Sequence, residues 1–426
     1  MHTTSAEFAN AKDDTARTVT ISPELVRQRL PRRLRKVLSL ADFEFAARKH
    51  LPRPIFGYVA GGAEDTVALR AAASAYQEWS LVPRVLVDVS QRSQQVELFG
   101  DTYSSPFGIA PMGISALIAY EGDFALARAA EAANIPMILS STGLIRLEDV
   151  RRAAPRATWF QAYLPGDPAK IEAMVQRVQS AGYRTLVLTV DVATLPSREN
   201  NIRVGFTMPL RPSVRLAWDG VVRPRWTLGT LIRTLLKHGM PHFENSSATR
   251  GVPIFSSAAV REFGSRDTLS WTHVDQIRRM WNGKLVLKGV LSAEDARIAA
   301  DRGVDGVIVS SHGGRQLDAS IAPLRALPAI VQAKGAMRVM IDSGIRRGTD
   351  VLKAIALGAD FVFIGRPFIY AAAIGGQAGV AHAIRLLSHE IQQDMALLGV
   401  NSLSELGPHT LSEQRPALDQ VNVDRR

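Results

Sequence analysis

The sequence predicts an α/β fold, a (β/α)8 TIM barrel with an N-terminal helical extension and an insertion after the fourth strand. Three observations predict it. Eight short apolar runs recur along the 426 residues, stretches with helical periodicity separate them, and most runs end in a small, polar or charged residue. Strands buried in a parallel sheet read as continuous apolar runs, and strands alternating with helices build such a sheet. A doubly wound open sheet is the structural alternative.

Residues 1–38 form a basic tail in which Arg27, Arg29, Arg32, Arg33, Arg35 and Lys36 crowd together. The barrel domain spans 39–406. Its strands are expected at 107–110, 136–140, 158–163, 185–190, 284–288, 306–310, 338–341 and 361–364. Between them, 123–133, 168–181, 292–302 and 349–357 carry good helix formers with a helical apolar period.

One gap breaks the rhythm: about ninety residues part the fourth run from the fifth, far more than an ordinary connection. The insertion is placed at 207–255. There Trp218, Val221, Val222, Trp226, Leu228, Leu231, Ile232, Leu235 and Leu236 interleave with Arg211, Arg215, Arg223, Arg225, Arg233 and Lys237, opposed only by Asp219. Such a mixture suits a segment lying on an anionic membrane surface; a solvated lid or an oligomer contact would read similarly. Residues 407–426 are a C-terminal tail.

Composition narrows the chemistry. The chain has no cysteine, which excludes disulfides, a thiolate nucleophile and cysteine metal sites, so redox chemistry requires a bound cofactor. No metal site is expected. The net charge of +11 favours anionic partners, yet no nucleic-acid motif accompanies it. No apolar stretch reaches the ~20 residues that cross a bilayer. The N-terminus lacks the apolar core of a secretory signal, so the expected location is cytoplasmic.

In a barrel the strand ends converge on one mouth. That brings Pro111, Met112, Gly113, Ser140, Gln161, Tyr163, Thr189, Asp191, Lys288, His312, Arg315, Asp342, Gly365 and Arg366 together. Two Gly/Arg elements, 342–346 with Gly344 and Arg346 and 364–367 with Gly365 and Arg366, match the barrel phosphate cradle of backbone N–H groups and a helix N-terminus. His312 is a candidate base, and Asp191 a candidate to orient it. Arg198 and Arg315 suit a two-point clamp on a carboxylate. Lys288 would place its ammonium at the bottom of a pocket.

Nine stretches in order then carry a resemblance: YVAGGAED at 58–65, IAPMG at 109–113, LSS at 139–141, FQAY at 160–163, LTVD at 188–191, LKG at 287–289, SHGGRQLD at 311–318, DSGIRRG at 342–348 and GRP at 365–367. The chain resembles the FMN-dependent α-hydroxy acid dehydrogenase and oxidase family over about 39–406. The resemblance implies FMN across the barrel mouth. Its ring would meet Pro111, Met112, Gly113, Ser140, Gln161 and Thr189, with Lys288 near the N1 and C2 carbonyl region. Asp342 would hold the ribityl hydroxyls, and Gly344, Arg346, Gly365 and Arg366 the phosphate. Arg198, Arg315 and Tyr58 would hold the substrate carboxylate, Tyr163 would reach its hydroxyl or carboxylate, and His312 oriented by Asp191 would be the base. The implied reaction oxidises an L-2-hydroxy acid to the 2-oxo acid; whether the proton leaves from carbon or from oxygen stays open.

Some positions depart from the family pattern. Pro196 stands where glycine is usual and Asn201 where an acid is usual, so the path delivering Arg198 is less certain than that of Arg315. Met112 replaces a threonine and Ser311 an asparagine. Thr142 stands where glycolate oxidases carry tryptophan, which leaves room for an aryl or bulky substituent. WDG at 218–220, PRW at 224–226 and HGMP at 238–241 resemble the membrane-binding insert of the mandelate dehydrogenase branch. The expectation is a homotetramer, peripheral on the inner face of the plasma membrane, passing electrons to a membrane quinone. The alternatives are a soluble oxidase that makes hydrogen peroxide from O2, and a phosphate- or FMN-binding barrel without hydroxy acid redox activity.

Overall fold

The computed structural model describes residues 30–206, 214–254, 256 and 266–414. Arg27 and Arg29 of the basic tail and Arg211 of the insertion lie outside these residues. Eight parallel strands close into a barrel: β1 (Phe107–Ile109), β2 (Met137–Ser140), β3 (Thr158–Ala162), β4 (Thr185–Thr189), β5 (Lys284–Val290), β6 (Gly306–Val309), β7 (Arg338–Ile341) and β8 (Phe361–Ile364), with β8 pairing back onto β1. All eight fall where the apolar runs predicted them.

The two-residue period of a strand explains why the mouth is polar. Ile138, Trp159, Val187, Val286, Ile308, Met340 and Phe363 fill the barrel interior as one buried cluster. Two residues beyond each, on the same inward side, stand Ser140, Gln161, Thr189, Lys288, Ser310, Asp342 and Gly365. One layer of hydrocarbon thus supports one layer of functional groups. Register aligns them in neighbouring pairs, Ser140 beside Gln161 and Thr189 beside Lys288. The alternate strand residues face outward onto the helices in the main core.

The helical extension comprises Leu40–His50, Arg53–Ala60 and Val67–Ser74. The first starts at Ser39, where the Asp42 carboxylate accepts from the Leu38 and Ser39 N–H groups at 2.8 and 3.0 Å, as expected of a capped N-terminus. Packing begins earlier than the tail boundary at 38: Leu34 and Val37 are buried, and His382 Nε2 donates to the Val37 carbonyl at 2.9 Å. At the other end, Leu411–Glu413 lies past the boundary at 406 yet pairs antiparallel with Trp79–Leu81.

The insertion docks through one side. It contributes the helices Val214–Val221, Pro224–Trp226 and Arg233–His238, with a π turn at Thr227–Ile232. Trp226 is buried and donates from Nε1 to the Leu117 carbonyl at 3.1 Å. His238 Nε2 lies 3.2 Å from Tyr120 Oη, and the Arg233 guanidinium sits 3.8 Å over the Tyr120 ring. The other side leaves Trp218, Val221, Leu228 and Leu236 exposed. Among the described residues no helix is long and apolar enough to cross a membrane.

Candidate active site

The strand ends open on a cavity of about 590 Å³, a size typical of cofactor and substrate sites. It brings together fifteen of the nineteen residues singled out from the sequence: Tyr58, Pro111, Met112, Gly113, Thr142, Tyr163, Arg198, Lys288, His312, Arg315, Asp342, Gly344, Arg346, Gly365 and Arg366. Of the other four, Ser140, Gln161 and Thr189 are buried at the strand ends, and Asp191 stands behind His312.

His312 begins a turn in left-handed backbone, with φ of +55° at His312, +66° at Gly313 and +70° at Gly314. A side chain rarely adopts that conformation, and its cost is met where the surroundings enforce it. Here Ser310 Oγ accepts the His312 N–H at 3.0 Å, and Ser343 Oγ accepts the Gly313 N–H at 3.0 Å. The imidazole is thereby aimed between two partners. Nδ1 lies 3.0 Å from Asp191 Oδ1 and Nε2 3.1 Å from Tyr163 Oη.

Gly289 admits the carboxylate. Its φ is +104°, and a Cβ there would fall 2.5 Å from Asp191 Cβ. Burial pushes the Asp191 carboxyl up, but the His312 charge and hydrogen bond and Lys288 carry it below the usual range. Burial likewise drives the His312 imidazole below its ordinary value, against the pull of Asp191. An ionised Asp191 and a neutral His312 follow. The hydrogen-bond network then assigns Nδ1–H as donor to Asp191, leaving Nε2 as the acceptor.

Two guanidinium groups meet beside the base. Arg198 Nε donates to the Arg315 carbonyl at 3.1 Å and its Nη2 to Gln316 Oε1 at 2.8 Å. Arg315 donates to the Tyr58 and Gly61 carbonyls at 2.7 and 2.8 Å and lies 4.8 Å over the Tyr58 ring. Burial and the Arg315 charge pull Arg198 down to about 10. A desolvated Arg198 guanidinium beside the Arg315 charge in one cavity favours an anion there. Pro196 has not diverted Arg198 from Arg315.

The fit to FMN can be tested on groups without partners. Gln161 Nε2 and Thr189 Oγ1 are buried with no hydrogen-bond partner, and an orphaned buried group costs roughly 1–3 kcal/mol. Both stand in the set expected to face a flavin ring, whose polar edge would satisfy them. Lys288, also buried, has Nζ 3.1 Å from Asp342 Oδ2 and 2.9 Å from Ser310 Oγ. Gly365 caps the helix Arg366–Leu398 without a side-chain acceptor; with Pro367 lacking an N–H and Phe368 and Ile369 donating to the Gly365 carbonyl, the Arg366 N–H is the first-turn donor left for a phosphate. These residues fit the cofactor.

Arg366 behaves differently from the expected phosphate ligand. Its guanidinium donates to the Val59, Gly61 and Gly313 carbonyls, each at 2.9 Å. It ties the helical extension to the His312 turn, and burial with the Arg315 charge lowers it to about 9.

Against known proteins, the family model described as FMN-dependent dehydrogenase matches residues 47–413. The chain belongs to the FMN-dependent dehydrogenase family. It is an oxidoreductase with FMN as its cofactor, and its eight-stranded barrel is the barrel of that family's solved members. The chain is 37% identical to (S)-mandelate dehydrogenase of Pseudomonas putida, over 89% of this chain and 94% of that protein. It is 38% identical to an L-lactate dehydrogenase of Xanthomonas euvesicatoria pv. vesicatoria, over 88% of this chain and 96% of that one. A crystal structure of the monotopic membrane protein (S)-mandelate dehydrogenase superposes with a TM-score of 0.81 at 36% identity, covering 89% of this chain and 100% of that one. Mandelate oxidase with (S)-2-phenylpropionate superposes at 0.72 with 33% identity, covering 88% and 98%.

Several residues of this FMN-dependent dehydrogenase site escaped sequence reasoning. Gln316 was visible only as part of a motif, yet it holds Arg198 and donates from Nε2 to the Asp191 carbonyl at 2.9 Å. Outside the cavity, Asp123 is fully buried on a helix; it accepts from Ser115 Oγ and, at 3.2 Å, from the Leu144 N–H. Arg266 lines the cavity. No local pattern marks Gln316 or Arg266, because each acts on a partner distant in sequence.

Proposed function

We propose that the protein oxidises an L-2-hydroxy acid with an aryl or bulky substituent to the 2-oxo acid. One observation carries the reading: His312, Arg198 and Arg315 line one cavity, with Asp191 behind the base and the orphaned Gln161 and Thr189 buried at the ends of the adjacent strands β3 and β4. When bound there, FMN supplies the acceptor for two electrons. Arg198 and Arg315 hold the substrate carboxylate and so fix which face of the α-carbon is presented. Tyr163 Oη hydrogen-bonds the substrate hydroxyl or carboxylate. His312 Nε2 takes the departing proton, and Asp191 stabilises the imidazolium that results. Lys288 offers positive charge where negative charge grows.

The cavity walls favour a large substituent. Thr142 is small, and Val192, Leu195, Ile202, Phe206 and Phe243 form an apolar surround. (S)-Mandelate fits this chemistry better than L-lactate, although relatives of both kinds are similar to the chain.

The exposed Trp218, Val221, Leu228 and Leu236 support peripheral membrane attachment through the insertion. On this reading the enzyme sits on the cytoplasmic side of the plasma membrane as a homotetramer and passes electrons to a quinone. Anaerobic bleaching of the flavin by a panel of 2-hydroxy acids tests the substrate class. Reduction by (S)-mandelate is the expected result, and no reduction by any 2-hydroxy acid would overturn it. Quinone reduction against peroxide yield under air separates dehydrogenase from oxidase.

A further inference from the structure

Arg266 is a further arginine lining the cavity, beside Arg198, Arg315, Arg346 and Arg366. It lies just before the helix Trp271–Met280, and its carbonyl accepts the Leu269 N–H at 3.1 Å. Only 8% of the residue is exposed. Its Cζ sits 4.6 Å from the centroid of the Tyr163 ring.

Tyr163 needs such a hold. Its backbone N–H donates to Ser141 Oγ at 3.3 Å, which fixes the start of the side chain but leaves two torsions free. Its hydroxyl must stay 3.1 Å from His312 Nε2, with the two rings 19° from parallel. A cation on the ring face restricts that swing, and the attraction grows as water is excluded. The cation also makes the phenol a stronger donor. Burial raises the Tyr163 hydroxyl far above its ordinary value, and Arg266 acts in the opposite direction.

We propose that Arg266 is a positioning residue that acts through Tyr163, holding its hydroxyl on the His312–substrate axis. The proposal rests on the reading of Tyr163 and His312 given above, and it goes beyond that reading by assigning a role to a residue outside the substrate contacts.

A double-mutant cycle on the FMN-loaded enzyme tests it, read as the anaerobic rate of flavin reduction by (S)-mandelate or L-lactate, with melting temperature as the check on folding. Arg266→Leu is expected to slow reduction by roughly three- to thirtyfold, the span that a desolvated cation–ring contact represents. Arg266→Lys restores part of that rate because it keeps a cation over the ring. In a Tyr163→Phe background Arg266→Leu adds little, since the hydroxyl it positions is already gone. If the loss is instead fully additive, Arg266 acts on the substrate directly or on the fold, and the proposal fails. If Tyr163→Phe alone leaves reduction unchanged, the reading of Tyr163 fails first, and this proposal with it. Should Arg266→Leu not fold, Arg266→Gln takes its place in the same cycle. The pH dependence of reduction gives a second readout: Arg266→Leu shifts the profile only while Tyr163 is present, and a shift that persists in Tyr163→Phe counts against the proposal.

Discussion

Asp191 Oδ1 lies 3.0 Å from His312 Nδ1 across 121 residues of sequence. The contact fixes the imidazole tautomer and supplies a countercharge for the imidazolium formed when Nε2 takes a proton. His312→Ala is expected to bind FMN normally and to lose roughly a hundredfold to ten-thousandfold in flavin reduction. Asp191→Asn should fall in the same direction with the flavin spectrum unchanged. Stopped-flow reduction checks both, and retained turnover in His312→Ala would remove His312 as the base.

The same pair sets the acid limb of activity. Burial holds the His312 imidazole below its ordinary 6.5, so kcat/KM should be level through neutral pH and fall only where His312 becomes protonated. An inflection above 6.5 would contradict this. Stability follows the same sign: the unfolded histidine binds its proton at 6.5 and the folded one later, so His312 contributes stability above 6.5 that is lost as pH falls towards the folded value. Asp123 has the opposite sign. Burial raises it from 3.8 to about 6, so its contribution is present below 3.8 and lost as pH rises through about 6. Denaturant unfolding of the wild type and Asp123→Asn across that window separates the two.

The Arg198–Arg315 pair should govern binding more than turnover. Arg198→Lys keeps the charge but loses the fork that reaches Gln316 and the Arg315 carbonyl. It is expected to raise KM by roughly ten- to a hundredfold, the size of a hydrogen bond to a charged group. Steady-state kinetics on a 2-hydroxy acid decides it; an unchanged KM would place the carboxylate elsewhere.

Gly289 tests the close approach of Asp191. Gly289→Ala introduces a Cβ within 2.5 Å of Asp191 Cβ, in left-handed backbone. The expected cost is about 2 kcal/mol of stability, together with a loss of flavin reduction as Asp191 is displaced from His312. Chemical denaturation and reduction kinetics measure the two effects separately.

The insertion offers a test that spares its docked side. Removing 211–241 would also remove Trp226, which packs on the barrel. Trp218→Glu with Leu236→Glu changes only exposed positions. The double variant should leave the membrane fraction while keeping FMN and soluble-acceptor activity; unchanged sedimentation with membranes would count against attachment by this face.

The sequence by itself determined the barrel and most of the site, and the reason is periodicity. Strands with a two-residue alternation must place Ser140, Gln161, Thr189, Lys288 and Asp342 on the inward side above Ile138, Trp159, Val187, Val286 and Met340. The motif at 311–318 likewise announced its imidazole and guanidinium. Only the tertiary structure decided how side chains from distant segments meet. It set Arg198 against Arg315 despite Pro196, committed Arg366 to three carbonyls, docked Trp226 on Leu117 and laid Arg266 over Tyr163. It also extended the packed chain to Leu34 and to Leu411–Glu413. Such contacts depend on loop paths and rotamers fixed by long-range packing, and neither leaves a repeating pattern along the chain.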